Sequence, residues 1–263
     1  MASRRNALEQ YMKRTPLTTL ALLVLTGVIF GLAPTPCSRA AEAGKIRILL
    51  VTGGHDYETN QFFKLFQDLP GLTVLSEAHP KAHAWWKADA ASQYDVLVFY
   101  DMWQEISGEA KASLVARLKE GKGLVALHHC LGSYQQWPEY TKIIGGKYHL
   151  AKHVANGVEK PGSTYKHDVD FQVQVAKPDH PVTRGLKGFA IHDETYGGFE
   201  VRPEVQALLT TEEPTSTHTI AWAKTYEAAR VVYVQLGHDH VAYENPNYQR
   251  LVAQAIRWAA KRD

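Results

Sequence analysis

Thirteen histidines occur in the 263 residues, and three groups of them directly follow segments that read as β-strands. A neutral imidazole can take or give a proton near pH 7 and is the commonest side-chain metal ligand. His55 and Asp56 follow Gly53-Gly54, His128-His129-Cys130 follows Leu124 to Leu127, and His238-Asp239-His240 follows Gly237. Asp101, Trp103 and Glu105 come after an apolar run ending at Tyr100, and Tyr148-His149 comes after Gly145-Gly146. A further cluster, His192-Asp193-Glu194-Thr195-Tyr196, sets three titratable groups in consecutive positions. From these we expect His128 and His238 to act as acid/base groups or ligands, with Glu194 as a base or further ligand. Gly54, His55, Asp56, Trp103, His129, His149 and Tyr196 are the candidates for contact with substrate.

No H-E-x-x-H or C-x-x-C pattern occurs, and Gly53-Gly54 lacks the G-x-G-x-x-G form of a dinucleotide site. The cofactor therefore stays undefined. A metal held by separate strand ends (His55, His128, His238 and Glu194) would have the mixed imidazole/carboxylate shell of Zn²⁺ or another divalent transition metal. Cys130 reads as a small buried hydrophobe rather than a nucleophile. His79, His83, His153, His167 and His218 read as surface or structural residues, and His180-Pro181 as a turn.

Such residues meet only if the strands bring them together. Lys45 to Thr52, Leu72 to Leu75, Tyr94 to Tyr100 and Leu124 to Leu127 are short apolar runs of the buried parallel type. Helical spacing separates them: Phe62, Phe63, Leu65, Phe66 and Leu69 before Pro70-Gly71, then Leu114, Val115 and Leu118 behind a Ser107 N-cap. Strand and helix alternate four times, which predicts an α/β fold with a doubly wound, mostly parallel sheet. Ligands bind such sheets beyond the carboxyl ends of the strands, where the histidines lie. After Gly146 the pattern turns β-rich: Asp168 to Val175 alternates polar and apolar, and Phe189 to Val201, Thr219 to Ala223 and Arg230 to Leu236 come next. Pro246 to Ala260 closes the chain as an amphipathic helix. The reading is one α/β domain, residues 44–263, with a β-rich insertion.

Residues 1–43 are set apart. Four basic residues precede an apolar run, Leu17 to Ala33, and Ala41-Glu42-Ala43 supplies a small-residue exit. These are the parts of a secretory signal peptide, with an uncleaved N-terminal anchor as the alternative. Removing this leader takes five of 29 basic and two of 27 acidic residues, leaving 24 and 25. The mature chain is thus nearly neutral, which excludes the basic footprint of a nucleic-acid binder. Cys130 is its single cysteine, so no internal disulfide can hold it.

The segments ILLVTGGHDYE, GLVALHHC, IIGGKYH, DHPVTRGL, HDETYGGFE, TIAWAKTYEAARVVYVQLGHD and NPNYQRLVAQAIRWAA resemble, in this order, the ThuA-like trehalose-utilisation family. They span Lys45 to Arg262. The resemblance implies a flavodoxin-like fold similar to class I glutamine amidotransferases, whose cysteine nucleophile follows a strand and whose histidine follows a late one. Here His128 stands in the nucleophile's place and His238 matches the late histidine, so the pocket is kept without the cysteine chemistry. The chain departs from the family pattern at Tyr226-Glu227-Ala228-Ala229-Arg230, where a Gly-rich turn is usual. The implied role is carbohydrate catabolism on a trehalose-type or 3-keto-disaccharide by hydrolysis, lyase chemistry or isomerisation. A non-catalytic carbohydrate-binding or scaffold protein is the alternative, and the oligomeric state stays open.

The leader generates a first prediction. Mass spectrometry of protein from the native host should find an N-terminus near Ala41 or Gly44; an intact Met1 would refute cleavage.

Overall fold

The computed structural model describes residues 44–155 and 157–263; the leader assigned to residues 1–43 lies outside them. The unbroken apolar runs become strands because both of their faces must be covered. They are β1 (Ile46–Gly53), β2 (Leu72–Ala78), β3 (Val96–Asp101) and β4 (Gly123–Leu127), and every residue of the last two is buried. The helices between them are α1 (Thr59–Asp68) and α2 (Gly108–Lys119), the second capped by Ser107, whose side chain accepts from the Ala110 N–H. After β4 come a 3-10 turn, His128–Gly132, and α3 (Pro138–Ile144).

The rest of the chain is mainly β. Its strands are β5 (Gly146–Lys147), β6 (His153–Ala155), β7 (Val158–Lys160), β8 (Thr164–Val175), β9 (Phe189–Gly197), β10 (Glu200–Val201), β11 (Gln206–Thr210), β12 (Thr219–Tyr226) and β13 (Ala229–Val234). Two helices end it, α4 (His240–Glu244) and α5 (Pro246–Ala259). In α5, Pro246 begins the helix and Asn245 caps it, accepting from the Asn247 and Tyr248 N–H groups.

Nine strands form one sheet in the order β2-β1-β3-β4-β13-β12-β11-β8-β9. The first five run parallel, in the flavodoxin-like arrangement. The other four continue the same sheet antiparallel, so the β-rich region extends the parallel half edge to edge. Side-chain alternation divides the core. Ile48, Leu50, Val96 and Val98 face α1 and α5, whereas Leu49, Val51, Leu97 and Phe99 face α2 and α3.

Three differences from the sequence reading have local causes. The run Phe189–Val201 is two strands, because Gly198 turns at φ +67° and sends β10 to pair with β5. β11 was not foreseen; only Leu208, Leu209 and Thr210 of it are buried, too short an apolar run to stand out. In the β12–β13 hairpin Glu227 itself takes φ +52°, so the turn closes without the expected glycine. Among the described residues no helix is long and apolar enough to cross a membrane.

The ribbon β8–β9 is tied to the sheet at one end. Only Leu209↔Val175 and Thr210↔Gln174 join β8 to β11. The rest of the ribbon leaves the sheet and lies over its carboxyl edge.

The packing of β4 against α5 can be probed directly. A Cβ on Gly123 would stand 2.2 Å from the Ala259 carbonyl oxygen, backbone that has no free end to swing away. Gly123→Ala should lower unfolding free energy by about 1–3 kcal/mol. Gly108→Ala, with nothing within 4 Å of the new Cβ, should stay within about 0.5 kcal/mol. Denaturant melts of the two variants make the comparison.

Candidate functional site

His128 turns the chain after β4 with φ +52°, a left-handed conformation that costs a non-glycine residue on the order of 1–3 kcal/mol. Two bonds hold it there. The Tyr233 hydroxyl donates to the His128 carbonyl at 2.8 Å, and the ring Nδ1 lies 2.7 Å from the Gln235 carbonyl oxygen. A carbonyl only accepts, so Nδ1 carries a hydrogen and Nε2 is the ring atom turned to the site. Three polar atoms face that nitrogen: the Tyr196 hydroxyl at 2.9 Å, Glu194 Oε2 at 3.1 Å and His238 Nδ1 at 3.3 Å.

His238 arrives from β13, parallel to β4, and its loop is held by a carboxylate. Asp193 accepts from the N–H of Gly237 at 2.7 Å and of His238 at 2.9 Å. It also accepts from the Glu194 N–H at 2.8 Å. Burial raises the Asp193 pKa, and these donors and the nearby His128 oppose the rise. Adjacent strand residues point to opposite faces, so when Asp193 faces the β13 loop, Glu194 and Tyr196 face His128.

Glu194 sits between imidazoles on both oxygens. Oε2 is 3.4 Å from His238 Nδ1, and Oε1 is 3.3 Å from His167 Nδ1. Burial works against its charge, yet hydrogen bonds from His128 and His238 outweigh burial and hold the carboxyl well below the usual carboxylate range. The same contact with Glu194 raises the His238 pKa against its partial burial.

Of the trio, Glu194 lines a cavity of about 260 Å³, together with His55, Met102, His129, Gly132, Tyr148, Leu150, Tyr165, His167 and Tyr196. Glu194 is the single carboxylate of that lining. His129 stacks on His55 at 4.6 Å between ring centroids, and neither of its ring nitrogens has a protein partner among the described residues. Burial, with His128 and His55 close by, pushes its pKa far down and keeps the ring neutral.

Four candidates from the sequence lie elsewhere. Gly54 is the tight turn itself: at φ +84°, a Cβ would meet the Met102 carbonyl carbon at 2.6 Å. Asp56 is exposed and outside the cavity lining. Trp103 stacks on His79 at 5.6 Å, within the second core cluster. His149 stacks on His153 at 3.5 Å and faces Glu200, lining outer clefts. His55 reaches the cavity wall but not the trio, because its Nδ1 turns back to the Asp56 carbonyl at 2.7 Å. The grouped ligand-type atoms are therefore those of His128, Glu194 and His238.

Two of the histidines read as surface or structural make contacts that the local pattern does not show: His167 is exposed but reaches Glu194, and His79 is buried in a structural pair. His167 lies where β8 and β9 shift register between Lys166 and Val169, and that shift turns it toward Glu194. No local pattern announces such a bulge. His79 follows β2, which runs to Ala78 rather than Leu75, and so reaches the same sheet edge. There its Nε2 meets Asp101 Oδ2 at 2.8 Å, with both side chains fully buried. Ser133 Oγ and Cys130 Sγ each lie 3.3 Å from the other oxygen of that carboxylate.

The chain is similar to known proteins in sequence pattern and in fold. A family model described as "ThuA: Trehalose utilisation" matches residues 47–259. A ThuA-like protein of Parabacteroides merdae is similar in structure, with TM-score 0.68 and 19% identity over 82% of this chain and 90% of that one. A ThuA-like protein of Bacteroides uniformis gives TM-score 0.64 and 17% identity over 81% and 91%. A cytoplasmic protein of Salmonella typhimurium gives 0.57 and 12% over 81% and 99%. At these identities the likeness is one of fold. No curated protein matches the chain.

The Cys130 thiol is fully buried, and burial together with the Asp101 carboxylate pushes its pKa well above the ordinary value. Only the thiolate is a nucleophile. In a Cys37→Ser background, Cys130 should not react with Ellman's reagent until denaturant is added. Prompt reaction in the native state would put a usable nucleophile back in the fold.

Proposed function

Since this chain belongs to the ThuA (trehalose utilisation) family, we propose that its cavity takes a trehalose-type or 3-keto-disaccharide and moves protons on it. The observation carrying this reading is the meeting of His128 Nε2, Glu194 Oε2 and His238 Nδ1 within 3.1–3.4 Å of one another, with Glu194 lining the cavity. An ionised carboxylate between imidazoles is an acid/base pair ready to work near neutral pH.

The lining favours one kind of proton transfer. Glycosidases of the usual kind use two carboxylates across the scissile bond, and among the described residues this cavity is lined by one. A single carboxylate with imidazole donors suits removal of a proton from the carbon beside a sugar carbonyl. Glu194 takes that proton and an imidazole returns one, either to the neighbouring carbon or to a departing oxygen. The outcomes are isomerisation and β-elimination. Tyr148, Tyr165 and Tyr196 give ring faces and hydroxyls for a sugar, and His129 supplies a free donor and acceptor. On the strength of the leader in residues 1–43, the activity is assigned to the exported protein.

NMR of trehalose and of disaccharides oxidised at C3, each incubated with the protein in D₂O, tests this. Deuterium should enter beside the carbonyl of the keto sugar. Glu194→Gln should slow the exchange by on the order of 10²–10⁴-fold with the fold unchanged. No exchange and no binding with either sugar class overturns the reading.

A further inference from the structure

Around Glu194, at the cavity wall, the polar atoms have a geometry that hydrogen bonds do not explain. His128 Nε2 carries one lone pair or one proton, yet three polar atoms stand within 3.3 Å of it. A ring nitrogen offers one hydrogen or one lone pair in its plane, so two ring nitrogens and one carboxylate oxygen cannot pair along all three of their mutual contacts.

A single cation satisfies all three atoms. The triangle His128 Nε2, Glu194 Oε2 and His238 Nδ1 has sides of 3.1, 3.3 and 3.4 Å. Ligands held at 2.0–2.1 Å in a tetrahedron lie about 3.3–3.4 Å apart, the edge of a zinc site. We propose that these three atoms are the protein ligands of a tetrahedral divalent transition-metal site of the Zn²⁺ kind, with its fourth position open to the cavity.

The surroundings agree with that assignment. His128 gives its Nδ1 hydrogen to the Gln235 carbonyl, the second contact by which metal-binding histidines are oriented. Asp193 fixes the His238 backbone in the same way from behind. Two neutral imidazoles and one carboxylate against a 2+ ion leave one positive charge, suited to a carbonyl or hydroxyl oxygen entering from the cavity. The metal would polarise that oxygen. Glu194 Oε1, on the His167 side, stays free of the triangle and available to a proton. The ligands come from β4, β9 and β13, at positions 128, 194 and 238, which is why no local metal motif exists in the sequence.

This site shares the pocket of the carbohydrate reading, but metal binding is measured with no sugar present, so either can fail alone. The full chain, stripped with a chelator, is titrated with Zn²⁺ and analysed for metal after dialysis. The expected result is one Zn²⁺ per chain, with affinity weakened at least about a hundred-fold in Glu194→Gln and in His238→Ala. His240→Ala, in the same loop but paired with Glu58, should bind as before. Because removing the buried His128 ring risks the fold, the isosteric Glu194→Gln is the decisive variant. Cobalt-loaded protein should show the strong visible bands of a four-coordinate site and no thiolate charge-transfer band. Substoichiometric uptake, or one Zn²⁺ retained by both Glu194→Gln and His238→Ala, overturns the proposal.

Discussion

A buried carboxylate, Asp193, ties the antiparallel half of the sheet to the parallel half. Its oxygens accept the N–H groups of Gly237 and His238, the first residues beyond the switch from β13 to the helical end of the chain. These donors have no strand partner at that point, and an unpaired buried N–H costs about 1–3 kcal/mol. The interaction therefore draws β9 across the carboxyl edge, and the pleat of β9 then delivers Glu194 and Tyr196 to His128. The strand pairing of the ribbon with the rest of the sheet is otherwise limited to two residue pairs at β11.

The strained turn at His128 depends on that same edge. Its left-handed backbone is held by Tyr233 from β13 and by the Gln235 carbonyl, so β4 and β13 jointly position the ring. The likeness to amidotransferases is one of architecture, and the chemistry has moved. The apex is an imidazole, while the thiol two residues later is turned inward onto Asp101. That second buried group, with His79, Tyr134 and Ser133, braces the end of β3 beneath the cavity. It lies beneath the cavity lining and serves the scaffold.

Glu194 and burial give His238 and His129 opposite characters. His238, partly exposed and against Glu194, is stabilised as a cation, whereas His129, enclosed among rings, is kept neutral. One carboxylate placed on one side of a small pocket is enough to separate them. A site with a charged and a neutral imidazole can donate and accept a proton at once.

Much of this was legible in the chain. Apolar runs such as Val96 to Tyr100 announce strands covered on both faces. Glycine pairs and N-caps mark where those strands end, and a parallel sheet carries every such end to one edge. The meeting of His128 with His238 therefore follows from local pattern plus topology. Glu194 was visible as a candidate, but its sequence neighbours His192 and Asp193 were equal to it; strand direction and the register of β8 on β9 selected it. The contacts of His167 and His79 were hidden in the sequence because a bulge and a three-residue strand extension decide which way they point, although their surface and structural settings agree with it. Residue types and hydrophobic period specify the elements and their ends, since those depend on neighbours along the chain. Which side chains then touch depends on twist, register and pairing between segments far apart in sequence, and only the folded sheet decides these.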